Sequence, residues 1–375
     1  MLRDLTDDQA RTALPLKWGE VAPGVLPAWV AEMDLRLAEP IEAALVEAVR
    51  RGAGYAAFGD GGLGAAFAGF ARRHWSWELP DDACVPPGSV MGGIRLALEA
   101  LCPPGPVVVP QPCYPPFRDV VAVTGRELVT LDLDPDETEA TLDLAAVERA
   151  FAAGARTYLL CNPHNPLGRA WSRDELAALA DLAGRYGARV VADEIHAPLT
   201  LPGATFTPYL TVDPRAVVVT SASKSFNMPA VHGAQLVLLD EAERERVRAL
   251  PVPAQHTWSS LGIAAGVVAW RDCDAWLDAL LERLDGNRRV LAEGLAEALP
   301  GARMRPLEAT YLAWVDLRAY GVADPAGAAL THGLRVSPGR DYQPGLAGHV
   351  RLNLATSRER VAEMVRRLSR AVREP

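Results

Sequence analysis

Lysine is almost absent from this 375-residue chain: only Lys17 and Lys224 occur, against thirty-six arginines. Arginine keeps a surface charged and soluble, but it stays protonated in any protein environment and cannot act as an amine nucleophile. Each remaining lysine is therefore either a survivor of compositional drift or a residue whose chemistry needs an amine. Long apolar runs are missing as well. Those present are too short or too interrupted to span a bilayer, and Met1 to Glu20 carries charges throughout without an apolar core segment. Positive charge is not in excess. A net charge of −9 argues against a nucleic-acid or membrane surface and leaves a small molecule as the expected partner. Cys84, Cys102, Cys113, Cys161 and Cys273 are scattered, with no Cys-x-x-Cys pair and no paired His spacing, so neither a metal site nor a disulfide framework is expected. Reduced, mostly buried thiols and a cytoplasmic location follow.

What is present reads as an ordinary globular protein, 49% apolar, with length enough for about two domains. From about residue 85 the pattern alternates. Helices are expected at Ser89 to Leu101, Leu144 to Ala153 and Ser172 to Tyr186, the last opened by a Ser172-Arg-Asp-Glu175 capping box. Short apolar strands fall between them at Val107 to Val109, Arg126 to Leu131, Thr157 to Leu160, Arg189 to Ala192 and Ala216 to Thr220. This predicts an α/β fold with a mostly parallel sheet covered on both faces. After Leu236 to Leu239 come helices to about Glu297, strands at Leu312 to Leu317 and Val350 to Ala355, and a basic helix from Arg358. The changed tail suggests a smaller α+β domain. The expected division is 46–285 for the large domain, with 1–45 and 286–375 forming the small one.

Four polar clusters follow or interrupt apolar strands, where open α/β sheets place their ligands. Cys161-Asn-Pro-His-Asn-Pro-Leu-Gly168 offers the Asn165 amide, although such a sequence alone is also an ordinary turn. Val190-Val-Ala-Asp-Glu-Ile-His196 puts Asp193 at a strand end, where it is equally able to cap a helix, with His196 three residues on. Thr220-Ser-Ala-Ser-Lys224 carries the second lysine, and Arg351 interrupts the apolar Val350 to Leu354, where a structural ion pair is the plain alternative. Gly88-Ser-Val-Met-Gly-Gly93 leads into a helix, whose free N–H groups and dipole make an anion site of Val90, Met91 and Gly92.

In this order and spacing, the clusters resemble the fold-type-I pyridoxal-phosphate enzymes of the aspartate aminotransferase superfamily, over nearly the whole chain. Pro-His-Asn-Pro-x-Gly-Arg, Asp-Glu-Ile-His and Ser-Lys-Ser-Phe-Asn are most similar to the cystathionine β-lyase/maltose-regulator branch of carbon–sulfur lyases. Trp29-Val-Ala-Glu-Met-Asp34 resembles that branch's N-terminal signature, with Glu32 where Asp is more usual. The resemblance implies a large domain with a seven-stranded sheet and a smaller one, pyridoxal 5′-phosphate as cofactor, an amino-acid substrate and a homodimer. It assigns Lys224 as the Schiff-base residue and α-proton base, Asp193 to the pyridinium nitrogen, Asn165 and His196 to the ring phenolate side, and Tyr114 to the ring face. Ser221, Ser223 and His232 would join Val90, Met91 and Gly92 on the phosphate, His232 standing where aminotransferases often have arginine. Tyr55 would cross to the neighbouring subunit's phosphate, and Arg351 would fork onto the substrate α-carboxylate. For both tyrosines a packing role is the alternative.

The implied reaction is β-elimination from an S-substituted cysteine such as cystathionine, giving thiol, pyruvate and ammonia, with aminotransfer as runner-up. Arg340 is the one candidate for a second carboxylate-binding arginine. Gly59-Asp-Gly-Gly-Leu-Gly64 fits the dinucleotide pattern and raises an NAD-linked oxidoreductase, but an amphipathic helix at Pro40 to Arg51 precedes it where a strand should. Asp132-Leu-Asp-Pro-Asp136 lacks the Gly and Glu of a calcium loop. A non-enzymatic regulator on the same fold is the third class.

Overall fold

Valine-rich runs of four or five residues, buried on both faces, build the centre of the molecule. The structure, a computed structural model, describes residues 2–52, 54–133 and 141–374, the side chain of Gln255 excepted. Its strands are β1 (Leu26–Ala28), β2 (Cys84–Val85), β3 (Val107–Gln111), β4 (Leu128–Asp132), β5 (Thr157–Cys161) and β6 (Arg189–Asp193). They continue as β7 (Val217–Thr220), β8 (Gln235–Val237), β9 (Arg303–Met304), β10 (Leu312–Asp316), β11 (Leu334–Pro338) and β12 (His349–Asn353). The large sheet has seven strands in the order β2-β8-β7-β6-β5-β3-β4. Neighbours from β4 through β7 pair in parallel, and β8 runs against both β7 and β2. Alternate residues divide between two cores, as the pleat requires. Val109, Leu159, Val191 and Val219 face the helix Val90–Ala100, while Val108, Leu160, Val190 and Val218 face the core on the other side.

Local signals set the helix starts. Ser172 Oγ accepts from the Glu175 N–H at 3.2 Å and Glu175 returns the bond to the Ser172 N–H at 2.8 Å, completing the expected capping box. The helix Glu39–Arg51 precedes Gly59 to Gly64, so that glycine pattern joins two helices and follows no strand. Asp132 closes β4, and residues 134–136 of the acidic run lie outside the described residues. The smaller sheet, β1-β11-β12-β10-β9, joins a piece of the N-terminus to the C-terminal part of the chain. The expected divisions at 45/46 and 285/286 fall inside continuous helices, Glu39–Arg51 and Asp274–Ala298. β1, β2 and β9, of two or three residues, are too short for periodicity to reveal.

Between the sheets runs a strap, residues 29–35, held through its carbonyls. Trp29 C=O accepts from Arg351 and Ser337, Val30 from Asn353, Ala31 from Lys224 and Tyr311, Glu32 from Lys17 and Asn353, and Met33 from Asn227. Beneath it Lys17, fully buried, lies 2.8 Å from Asp34 Oδ1, which also accepts from Trp18 Nε1 at 2.7 Å. Lys17 is therefore structural. Removing one partner of a buried pair leaves the other charge uncompensated, at about 3–5 kcal/mol. Asp34→Ala should lower stability by about that amount, whereas Lys17→Met leaves Asp34 with Trp18 Nε1 at 2.7 Å and Arg360 Nη1 at 3.6 Å and should cost less; denaturant unfolding of both variants checks the order.

Candidate active site

Three adjacent strands deliver three chemically distinct side chains to one cavity. Because β5, β6 and β7 are parallel neighbours, with Cys161 opposite Asp193 and Asp193 opposite Val219, their C-terminal ends lie side by side. Asn165 follows β5, Asp193 ends β6, and Lys224 comes four residues after β7. All three line a cavity of about 480 Å³, a size suited to a cofactor with a small substrate. Val90, Met91, Tyr114, His196, Ser221, Ser223, His232 and Arg351 line it too.

Charge sets the character of this cavity. Lys224 Nζ donates to Ala31 C=O at 3.0 Å. Burial first, then the Arg351 guanidinium, pushes its amine down to about 8, with Glu32 and Asp193 opposing. Asp193 Oδ1 accepts from the Ile195 N–H at 3.0 Å, and burial pushes its carboxyl up to about 7 against that bond and the Lys224 charge. Burial, assisted by Lys224 and Arg351, takes His196 down to about 3, so the ring is neutral; its buried Nδ1 has no partner. Burial and Asp193 raise the Tyr114 phenol.

Arg351 is buried without a carboxylate. Its Nη1 donates to Asn165 Oδ1 at 3.1 Å, its Nη2 to Trp29 C=O at 2.8 Å and to Ser337 Oγ at 3.4 Å, and among the described residues no acidic partner lies within ion-pair distance. Among the described residues the structural ion pair is not formed. Ser337 stands directly opposite Arg351 across β11 and β12, and the Tyr342 ring lies 5.0 Å from the guanidinium carbon, a cation–π distance. Neither Ser337 nor Tyr342 was expected. β11 escaped the sequence reading, and nothing near Tyr342 marks it.

The structure bears on four of these expectations. Gly92 does not line the cavity: its N–H is taken by Ser89 Oγ at 3.1 Å, the helix cap, which leaves the N–H groups of Val90 and Met91 without intrahelical acceptors. Ser221 donates its hydroxyl proton to Gly233 C=O at 2.7 Å and accepts from the Ser223 N–H at 3.1 Å, so it shapes the loop instead of offering a free donor. Tyr55 is fully exposed and outside the cavity, which rules out a core role within its own chain. Arg340 is also outside, paired with Asp324 at 2.9 Å.

The donor set fits pyridoxal phosphate. It combines a lysine amine of lowered proton affinity, a carboxylate with one oxygen uncommitted, open N–H groups at a helix start, and a buried guanidinium lacking an anion. Among the described residues no cluster of three or more His, Cys, Asp or Glu could hold a metal, and no helix is long and apolar enough to cross a membrane.

Residues 43–368 match the family model described as aminotransferase class I and II, and the chain belongs to that family. A Mycobacterium tuberculosis protein with the provisional name cystathionine β-lyase is 39% identical, the alignment covering 100% of this chain and 98% of the relative. The cystathionine β-lyase of Corynebacterium glutamicum is 31% identical, with 96% and 98% covered. A solved structure from Corynebacterium diphtheriae, provisionally identified as a PLP-dependent β-cystathionase, superposes with a TM-score of 0.93 at 32% identity, covering 100% of this chain and 99% of that one.

An amine that titrates near 8 is largely neutral at pH 9, where an ordinary lysine is still mostly charged. In cofactor-free protein, reductive methylation of Lys224 should rise between pH 7 and 9 and then level off, while buried Lys17 stays unmodified; peptide mass spectrometry across the pH series checks this.

Proposed function

We propose that this protein is a pyridoxal-phosphate-dependent carbon–sulfur β-lyase, acting on S-substituted L-cysteines such as cystathionine to give thiol, pyruvate and ammonia. The observation that carries the reading is Arg351, a buried guanidinium without a carboxylate, facing the cavity of Lys224 and Asp193. An amino acid's α-carboxylate completes it, with two parallel charge-assisted bonds. The names of the relatives support the choice of reaction.

When bound, pyridoxal phosphate supplies an electron sink for charge developing at the substrate α-carbon. The chain's own residues do the rest. The Lys224 amine would hold the cofactor and, as a base, would take the α-proton, a task for which a lowered proton affinity suits it near neutral pH. Asp193 pairs with the ring nitrogen, and a cation there favours the ionised carboxylate over the proton that burial promotes. Asn165, already oriented by Arg351 through its carbonyl oxygen, offers its amide N–H₂ to the ring oxygen, with neutral His196 nearby. Tyr114 would cover the ring face, and the N–H groups of Val90 and Met91, with Ser223 and His232, would receive the phosphate. Among the described residues that line the cavity Arg351 is the one guanidinium, so within one subunit a second substrate carboxylate finds no arginine there. That weighs against transamination of a dicarboxylate.

The working unit in this reading is a cytoplasmic homodimer. Tyr55, fully exposed beside exposed Phe58 in the loop before Leu63, is free to reach a second subunit's phosphate. The five unpaired cysteines are in keeping with a reducing compartment.

Borohydride reduction of the holoenzyme followed by peptide mapping should place the label on Lys224, and Lys224→Ala should abolish turnover. Incubation with cystathionine and no keto acid should release pyruvate, ammonia and thiol over many turnovers; one turnover that resumes only on adding a 2-oxo acid would make the enzyme an aminotransferase. Arg351→Lys should lower kcat/KM by roughly 100-fold, the size of a lost bidentate contact, with cofactor affinity little changed. Mixed Tyr55→Phe and Lys224→Ala subunits should regain activity if Tyr55 serves the neighbouring site, and heterodimers without recovery would place it elsewhere.

A further inference from the structure

The cavity contains one carboxylate that these steps do not use. Glu32 lines the cavity wall, and its Oε2 is buried without a hydrogen-bond partner. Lys224, whose charge Glu32 supports, donates to the Ala31 carbonyl, and no ion pair or hydrogen bond joins it to Glu32. Arg351 is occupied by Asn165, Trp29 and Ser337, and no ion pair joins it to Glu32. A buried carboxylate oxygen without a donor is costly, so the pocket is incomplete until a ligand brings one.

The backbone around Glu32 cannot easily carry the carboxylate away. Its N–H donates to Val30 C=O at 2.9 Å, and its own C=O accepts from Lys17 Nζ at 3.0 Å and Asn353 Nδ2 at 2.7 Å. We propose that Glu32 selects the distal end of the substrate, favouring S-substituents that carry an ammonium group over neutral ones. The inference rests on the lyase reading of the same cavity. With the α-carboxylate on Arg351 and Asp193 committed to the ring, Glu32 is the remaining anion, while Leu16, Trp29 and Tyr342 offer apolar wall to the carbon–sulfur chain between the charged ends. A fixed carboxylate that needs no rearrangement to meet its ligand gives the largest selectivity for its charge.

The competing role for Glu32 is counter-ion to Lys224, whose proton it helps to hold. A ratio separates the two. For the holoenzyme, kcat/KM for S-(2-aminoethyl)-L-cysteine divided by that for S-propyl-L-cysteine, measured by pyruvate release, should fall roughly 10- to 100-fold in Glu32→Gln, the scale of one charge-assisted hydrogen bond. Glu32→Asp should keep part of the preference. Binding of L-lysine against L-norleucine, which lack a sulfur leaving group, should shift in the same direction by calorimetry. Ratios unchanged in Glu32→Gln overturn the proposal, including the case where both substrates decline together, which assigns Glu32 to Lys224. If wild type releases pyruvate from neither thioether, the lyase reading falls, and the lysine-to-norleucine binding ratio still decides the role of Glu32.

Discussion

Five consecutive carbonyls, from Trp29 to Met33, accept hydrogen bonds from side chains of the small sheet, of the loop after β7 and of Lys17, and the cavity depends on that strap. Ordinary backbone pairing would give those carbonyls to a neighbouring strand. Here the donors are Lys224 and Arg351, which also line the cavity, and their neighbours Asn227, in the loop after β7, and Asn353, on β12. Arg351 and Asn353 are two residues apart, hence on one face of their strand, and that face presses on the strap. The small sheet is thereby locked to the ends of the large one at the place where chemistry is proposed.

The same arrangement tunes the charges. Burial, and after it the Arg351 charge brought into the same cavity, disfavours the charged amine of Lys224. Asp193 experiences the opposite balance. Burial raises it, and only the Ile195 N–H and the Lys224 charge resist. A bare cavity therefore contains an amine and an acid whose proton affinities approach each other near neutrality, the condition under which a small ligand charge changes the protonation of both.

Much of this was legible in the sequence, and the limits have physical causes. The central strands and the capped helices show their period and their caps locally, so β3 through β7 were expected within a few residues of where they lie. Strand-end motifs located Asn165, Asp193 and Lys224 because parallel topology converts sequence order into adjacency. Ser337 and Tyr342 were invisible for the converse reason. Their roles come from cross-strand register and from a ring packed on a guanidinium, neither of which leaves a trace along the chain. Gly92 shows a finer failure: the motif suggested a row of open N–H groups, but the helix cap at Ser89 consumes one of them.

The two lysines make the composition itself intelligible. At position 17 the side chain is fully buried, and its compact ammonium meets Asp34 Oδ1 and the Glu32 carbonyl in space that also accommodates Trp18. A guanidinium there is larger, planar and carries five N–H donors to be satisfied, so arginine would overfill the site and leave buried donors unpaired. At position 224 the objection is different. The volume is available in an open cavity, but arginine does not give up its proton and so provides neither an attachment point nor a base. Elsewhere arginine answers every need for positive charge, as in the bidentate Arg73 to Asp274 pair on the surface. Lysine persists only where one specific property of the amine is called for, small size under the strap in one case and, in the proposed role of Lys224, a removable proton beside it in the other.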